Sequence, residues 1–216
     1  MRRGPAHLAR FQAESLTLAD CVVQVRGITA GKGWSEAWTA RDRSHPLVLR
    51  DERFEQPVHV LRTRTQLVFS NHSDAKCNLH GYAMAAATST GKLDTVFNFG
   101  MAEGQAGLVL AEAYLKRPGL YFVTDDIDTA KAAWLHVVDT PYGAGPTAVD
   151  GRFEVGELPP GTYSVEAWHA ALSLDVQPRS EGGRPLYRRK PALVLTREIT
   201  VEPGKDIDLD FTFPVE

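Results

Sequence analysis

Two short groups of residues in this chain have the types and spacing that chemistry uses. Cys77 and His80 stand three positions apart, and Asp125, Asp126 and Asp128 lie together in one short segment. Thiolate, imidazole and carboxylate ligands together suit Zn²⁺ better than copper electron transfer. Asp125 and Asp128 are also the residue types of a carboxylate pair for acid–base catalysis, as in glycoside hydrolysis. A buried cysteine, a hydrogen-bonded histidine and a solvated turn are the structural alternatives.

Composition and motifs exclude several classes of protein. The chain has 216 residues, 43% of them hydrophobic, and a net charge of −3 with a pI near 6.2, which is ordinary for a globular protein and unlike a nucleic-acid binder. No apolar run reaches the roughly 18 residues that span a bilayer, and no nucleotide-binding glycine loop or HExxH zinc motif is present. Cys21 and Cys77 are the only cysteines and do not form a CxxC motif, which excludes a cysteine-built zinc finger. The sequence leaves open whether they form one disulfide or remain free thiols.

The elements that position these residues are predicted to be strands. Alternating apolar residues mark segments such as 65–70, 120–123 and 162–168, and turn-forming residues separate them roughly every 8–12 positions. This pattern predicts an all-β protein built from sandwiches, not a parallel α/β sheet. The alanine-rich segment 106–113 is also compatible with a helix.

The order of segments resembles that of periplasmic cupredoxin-like proteins. The similarity runs through residues 54–60, 67–74, 77–82 and 95–99, then through 116–120 and 133–142. The resemblance implies a cupredoxin-like Greek-key β-sandwich over residues 1–142, including an N-terminal extension. It also implies a periplasmic or secreted location. No apolar segment follows residues 1–5, so a secretory signal is not expected within this chain.

The last third is similar to a different small β-fold. The run Asp-Gly-Arg-Phe at 150–153, followed by Leu-Pro-Pro-Gly-Thr-Tyr at 158–163, resembles carboxypeptidase-regulatory-like (transthyretin-like) domains. In proteins of this kind that domain follows the cupredoxin part. The resemblance implies a small transthyretin-like β-sandwich over residues 143–216.

The chain departs from the cupredoxin pattern at every copper-ligand position. The resemblance places the first histidine ligand at Cys77, the cysteine at Asp125, the second histidine at Asp128 and the methionine at Lys131, while His80 matches a histidine that is not a ligand. A type 1 copper site needs two histidine nitrogens and a thiolate. Lys131 instead places a cation where the metal would sit. We therefore expect a degenerate copper site with no bound metal or other cofactor.

These observations predict a non-catalytic, copper-free binding or structural subunit of a cell-envelope protein complex, and not an enzyme. Other protein subunits are the expected partners. Basic residues of the polar segment 177–190 are the candidates that would bind them: Arg184, Arg188, Arg189 and Lys190. Four tryptophans are further candidates, although burial in a sandwich core is commoner for this residue: Trp34, Trp38, Trp134 and Trp168.

Two other functions stay open from the sequence. A remodelled centre would hold zinc or copper through Cys77, His80, Asp125 and Asp128, either as a metal-binding protein or as an electron-transfer cupredoxin. A carbohydrate-binding module would instead present an exposed row of aromatic side chains on the transthyretin-like domain.

Overall fold

Strands make up almost all regular structure in the computed structural model, which describes residues 8–10, 18–34, 44–51, 53–84, 93–170, 174–177, 186–189 and 191–214. Within these ranges the exception is a 3₁₀ turn at Glu112–Tyr114. The strands are β1 (Leu8–Arg10), β2 (Val22–Arg26), β3 (Ser44–Arg50), β4 (Arg53–Phe54), β5 (Val58–Arg62), β6 (Gln66–Asn71), β7 (Cys77–Met84), β8 (Leu93–Met101), β9 (Leu108–Leu110), β10 (Gly119–Asp125), β11 (Ala132–Val138), β12 (Gly143–Ala144), β13 (Arg152–Glu154), β14 (Gly161–His169), β15 (Leu174–Gln177), β16 (Leu186–Arg189) and β17 (Leu193–Val201). The predicted all-β fold class is confirmed.

The chain divides into two compact units. The central unit comprises Ser35–Asp139 and Ala171–Pro191, and the terminal unit comprises Met1–Trp34, Thr140–Ala170 and Ala192–Glu216. This division passes close to the boundary predicted between residues 142 and 143, but it places the N-terminal segment differently. Strand β2 is hydrogen-bonded between β12 and β14, so it belongs to the sheet of the terminal unit, whereas the sequence assigned residues 1–142 to one domain. An apolar strand pattern shows that a strand forms but not which sheet receives it.

The central unit is a sandwich of two sheets. One sheet has the order β5-β11-β10-β7-β8 and the other β4-β3-β6-β9, with parallel pairs β5/β11 and β3/β6 among antiparallel neighbours. Their inner faces bury a shared apolar core that includes Leu49, Phe69, Leu79 and Leu135, each at most 1% exposed. Burial of this size supplies the main stabilisation of a sandwich. The central unit is therefore a β-sandwich, as the alternating apolar pattern predicted.

Strand β7 turns successive side chains to opposite faces of its sheet. Cys77 and Leu79 point into the core, whereas the intervening Asn78 and His80 lie on the other face and are half-buried. A Cβ at Gly81 would overlap the ring of Phe97, so glycine leaves the room that this ring occupies. A one-residue irregularity follows, because Gly81 pairs with Phe97 but Tyr82 pairs with Thr95.

The terminal unit contains an antiparallel sheet of order β12-β2-β14-β17, and its β1 pairs with β13. Val23, Ala167 and Phe211 form part of its buried core.

Cys21 is fully buried, and its backbone N–H donates to Thr147 Oγ1 at 3.0 Å. Burial raises the pKa of the Cys21 thiol to about 12. Both Cys21 and Cys77 are free thiols, so of the two alternatives for these residues the structure shows the unpaired one.

In the part of the chain that the structure describes, no helix has the length and apolar character needed to cross a membrane.

Candidate functional site

The residues at the predicted copper-ligand positions meet at one end of the central sandwich. Cys77 begins β7, is 2% exposed and faces the core. Burial raises the pKa of its thiol to about 11, with a further increase from the Asp125 carboxylate and a smaller opposing effect from the Lys131 ammonium. The thiol is therefore protonated at neutral pH and lies within electrostatic reach of both charged groups.

Asp125 ends β10 and is fully buried. Its Oδ1 accepts two backbone N–H bonds, from Asn78 at 2.8 Å and from Ile127 at 3.0 Å. Its Oδ2 is buried without a hydrogen-bond partner among the described residues. The carboxylate thus joins the start of β7 to the loop that leaves β10.

Lys131 is a buried cation of the same loop. It is 6% exposed, and its Nζ lies 3.8 Å from Oδ2 of Asp128. The loop between β10 and β11 is closed by its own backbone, because the N–H of Lys131 donates to the carbonyl of Asp128 at 3.0 Å and the N–H of Asp125 donates to the carbonyl of Lys131 at 3.1 Å. We call Cys77, Asp125, Asp128 and Lys131 the buried ion cluster.

These groups do not fit a type 1 copper ion. The cluster offers no imidazole and a single thiol, and Asp125 already uses one oxygen for two backbone donors. A buried ammonium at the fourth position repels a metal cation. Among the described residues, no group of three or more His, Cys, Asp or Glu side chains is placed to hold a metal ion.

The four side chains proposed as zinc ligands do not all lie together in the described residues. His80 belongs to the outer face of β7, whereas Cys77 belongs to the inner face, so the two side chains point away from each other. A spacing of three positions brings residues together on a helix, but in a strand it separates them. The structure brings Cys77, Asp125 and Asp128 together with Lys131 and leaves His80 outside.

A second polar group forms around His80 on the outer face. Its Nδ1 lies 3.0 Å from Oδ2 of Asp126, and its Nε2 lies 2.9 Å from Oγ1 of Thr95. The Tyr82 ring stacks on the imidazole at 4.0 Å between centroids, and its hydroxyl oxygen lies 2.8 Å from Nδ1. Asn78 and Asn98 complete the group, which we call the surface polar cluster. Sequence reasoning missed Thr95 and Tyr82, because no spacing motif joins positions 80, 95 and 126.

The remaining predicted contact residues are described only in part. Arg188 and Arg189 lie in β16, which pairs antiparallel with β15, whereas Arg184 and Lys190 lie outside the described residues. Trp134 and Trp168 are buried, as expected for core tryptophans, and Trp34 is half-buried. Trp38 also lies outside the described residues.

Comparison with known proteins finds likeness only among solved structures. No protein-family model matches the chain, and no curated protein matches it. A purple cupredoxin from Nitrosopumilus maritimus is similar with a TM-score of 0.36 and 11% identity, over 43% of this chain and 98% of that one. Reduced auracyanin from Roseiflexus castenholzii is similar with a TM-score of 0.35 and 9% identity, over 44% and 97%. A mutant of amicyanin in its Cu(I) form is similar with a TM-score of 0.33 and 15% identity, over 45% of this chain and 84% of that one. Likeness of this extent carries no conclusion about function.

Proposed function

We propose that this protein is a copper-free, cupredoxin-like binding or structural subunit of a cell-envelope protein complex, periplasmic or secreted, with no catalytic chemistry at the former copper positions. The observation that carries the proposal is the buried ammonium of Lys131 beside the thiol of Cys77 and the carboxylate of Asp125. The charges of the cluster are compensated within the protein. A site closed in this way stabilises the loop between β10 and β11 instead of holding an ion.

The terminal unit is proposed to be the transthyretin-like domain that the sequence suggested. Its antiparallel sheet and buried apolar core are compatible with a small β-sandwich. A carbohydrate-binding role receives less support, because the aromatic side chains described in this unit are buried, apart from the half-buried Trp34. Those buried rings are Tyr142, Phe153, Tyr163, Trp168, Phe211 and Phe213.

Rebuilding the copper site tests whether the ion cluster occupies the ligand positions. The variant Cys77→His/Asp125→Cys/Asp128→His/Lys131→Met restores two imidazoles, a thiolate and a thioether. We expect it to bind one Cu²⁺ and to gain the intense visible absorption of a copper–thiolate bond. The matched control keeps Asp125 and carries only the other three substitutions, so it has no thiolate and stays colourless. A folded, colourless quadruple variant would show that these positions do not converge on one point.

Binding to other subunits is tested separately. The basic residues Arg184, Arg188, Arg189 and Lys190 are changed together to Gln, and chemical cross-linking with the envelope fraction is analysed by mass spectrometry. We expect specific cross-linked proteins with the unmodified chain and their loss in this variant. The control changes Arg197 and Lys205, which are exposed in the terminal unit, to Gln. Equal loss in both variants, or no cross-linked partner at all, would count against these residues as the docking surface.

A further inference from the structure

The surface polar cluster has the geometry of an activated hydroxyl nucleophile. Thr95 Oγ1 lies 2.9 Å from Nε2 of His80, and the other ring nitrogen lies 3.0 Å from the Asp126 carboxylate. Hydroxyl, imidazole and carboxylate in this order, each within about 2.6–3.2 Å of the next, are the arrangement that turns a weak nucleophile into a reactive one. We propose that Thr95 accepts acyl groups from esters, with His80 as its general base.

The carboxylate of Asp126 sets the tautomer that this role needs. Both of its oxygens face Nδ1, at 3.0 and 3.3 Å, so a lone pair on that nitrogen would meet a negative charge. The proposal places the proton on Nδ1, so that Nε2 keeps its lone pair for the hydroxyl proton of Thr95. In this arrangement Nδ2 of Asn98, which lies 3.2 Å from Nδ1, donates to Oδ2 of Asp126 at 3.4 Å. The Tyr82 hydroxyl oxygen, 2.8 Å from Nδ1, shares that proton as a second acceptor.

Neighbouring side chains fix the imidazole and the carboxylate in place. Tyr82 stacks on the imidazole with an angle of 24° between the rings. Asn78 Nδ2 donates to Oδ2 of Asp126 at 3.1 Å and to Oδ1 of Asn98 at 2.9 Å. An imidazole that cannot rotate keeps Nε2 directed at Thr95, and such preorganisation is what distinguishes a working base from a chance contact. Asp126, Tyr82 and Asn78 are positioning residues in this account.

The irregular pairing of β7 with β8 explains why Thr95 is available. One extra residue, Val96, lies between the partners of Gly81 and Tyr82 on β8. Because of it, Asn98 and Thr95, which are three positions apart, both reach His80 on the outer face, one at each ring nitrogen. Bulges of this kind re-aim side chains and occur often beside active sites. Thr95 itself is exposed, whereas the imidazole of His80 is 15% exposed.

The step is an ordinary acyl transfer. Oγ1 of Thr95 attacks the ester carbonyl carbon while its proton passes to Nε2 of His80. The carbon–oxygen bond to the leaving alcohol breaks, and the imidazolium returns its proton to that oxygen or to solvent. Water, deprotonated by the same nitrogen, then releases the acid and restores the threonine. The substrate class is a small, activated ester, and no oxidant, metal or cofactor takes part.

The test uses p-nitrophenyl acetate with the full chain. We expect release of p-nitrophenolate and, on quenching, an acetyl ester on Thr95 located by peptide mass spectrometry. Thr95→Ala abolishes this label, and Thr95→Ser keeps it, since a hydroxyl remains at the same position. Thr200→Ala is the matched control, because that threonine is also exposed in a strand and its hydroxyl lies 3.2 Å from the hydroxyl of Thr162, not from an imidazole.

The base and its positioning residue have separate signatures. His80→Gln is expected to lower the acylation rate by about 100-fold, the usual contribution of a general base. Asp126→Asn is expected to lower the rate at saturating ester while leaving the half-saturating ester concentration unchanged, which loss of packing alone would not do. Acetylation confined to lysine amines or to the imidazole, or equal labelling in Thr95→Ala, would overturn the proposal. The reaction uses no residue of the buried ion cluster. Its failure in this test would therefore leave the proposed copper-free role unchanged, and the reverse also holds.

Discussion

Asp125 and Asp126 are adjacent in the sequence, yet they belong to two different chemical environments. Asp125 is fully buried, accepts two backbone N–H bonds and lies among the charges of the buried ion cluster. Asp126 is 38% exposed and holds the imidazole of His80 on the outer face. Cys77 and His80 on β7 divide in the same way, one inward and one outward.

The difference shows how a strand assigns roles to neighbouring residues. The inner face removes its charged groups from water and obliges them to compensate one another, so those residues act on stability. The outer face leaves its groups accessible, so they act on whatever approaches. Residues of β7, together with those at and just after the end of β10, therefore contribute to the buried ion cluster on one side and to the cluster proposed to be reactive on the other.

Replacing each aspartate by alanine gives the largest contrast. Asp125→Ala leaves the N–H groups of Asn78 and Ile127 without their acceptor, so we expect a loss of about 2–5 kcal/mol in the free energy of unfolding, at about 1–3 kcal/mol for each buried group left unpaired. Asp126→Ala is expected to change it by no more than about 0.5 kcal/mol, as for most surface substitutions. Urea denaturation curves measure both. Equal losses would remove the distinction between the two faces.

The buried His59 and the exposed His72 extend the contrast between inner and outer residues to stability in acid. His59 is 3% exposed, and its Nε2 donates to the carbonyl of Gln56. Its Nδ1 lies 2.8 Å from Nε2 of His45. Burial, together with the neighbouring imidazole of His45, lowers the pKa of His59 to about 4. The unfolded chain takes up this proton near the ordinary value of about 6.5. Stability from the neutral imidazole is complete above that pH, and about 2 kcal/mol of it is lost as the pH falls toward 4.5.

Denaturation at several pH values checks this expectation. His59→Gln should flatten the decline between pH values of about 6.5 and 4.5, where the buried imidazole is the group responsible. The exposed His72 provides the control, since His72→Gln should keep the full decline. An unchanged decline in His59→Gln would show that other groups govern acid stability.

The smallest expected effect lies within the ion cluster. The Asp125 carboxylate raises the pKa of the Cys77 thiol and the Lys131 ammonium lowers it. Asp125→Asn should therefore lower the pKa of Cys77 from about 11, and Lys131→Met should raise it. Thiolate absorbance against pH, recorded in a Cys21→Ala background, follows this single thiol. Shifts of the same sign in both variants would contradict the arrangement of charges described here.

Part of this architecture could be predicted from the sequence. Alternating apolar residues gave the all-β class. The opposite directions of Cys77 and His80 were not predicted, because they follow from the strand that residues 77–84 form. The alanine-rich segment 106–113 misled by composition, because Leu108–Leu110 forms β9 against β6 and only Glu112–Tyr114 makes a 3₁₀ turn. Pairing with a neighbouring strand overrides alanine's helix propensity.

Other parts had no local signal. Strand β2 joins β12 and β14 across more than a hundred residues of chain, and its own pattern does not name those partners. Thr95 reaches His80 because Val96 interrupts the register between β7 and β8, and the residue types alone do not place that interruption. The sheet that receives β2 and the contact of Thr95 with His80 thus depend on long-range strand pairing and register, which sequence spacing does not reveal.

Metal content, measured by mass spectrometry together with a visible absorption spectrum, tests the central claim most directly. The protein is purified without chelator, and a second sample is incubated with Cu²⁺ and desalted. We expect neither copper nor zinc in stoichiometric amount and no intense visible band in either sample, since the resemblance puts Lys131 where the methionine ligand would stand and the side chain is buried. One equivalent of copper with an intense blue band, or one equivalent of zinc lost in Cys77→Ala, would contradict the copper-free account.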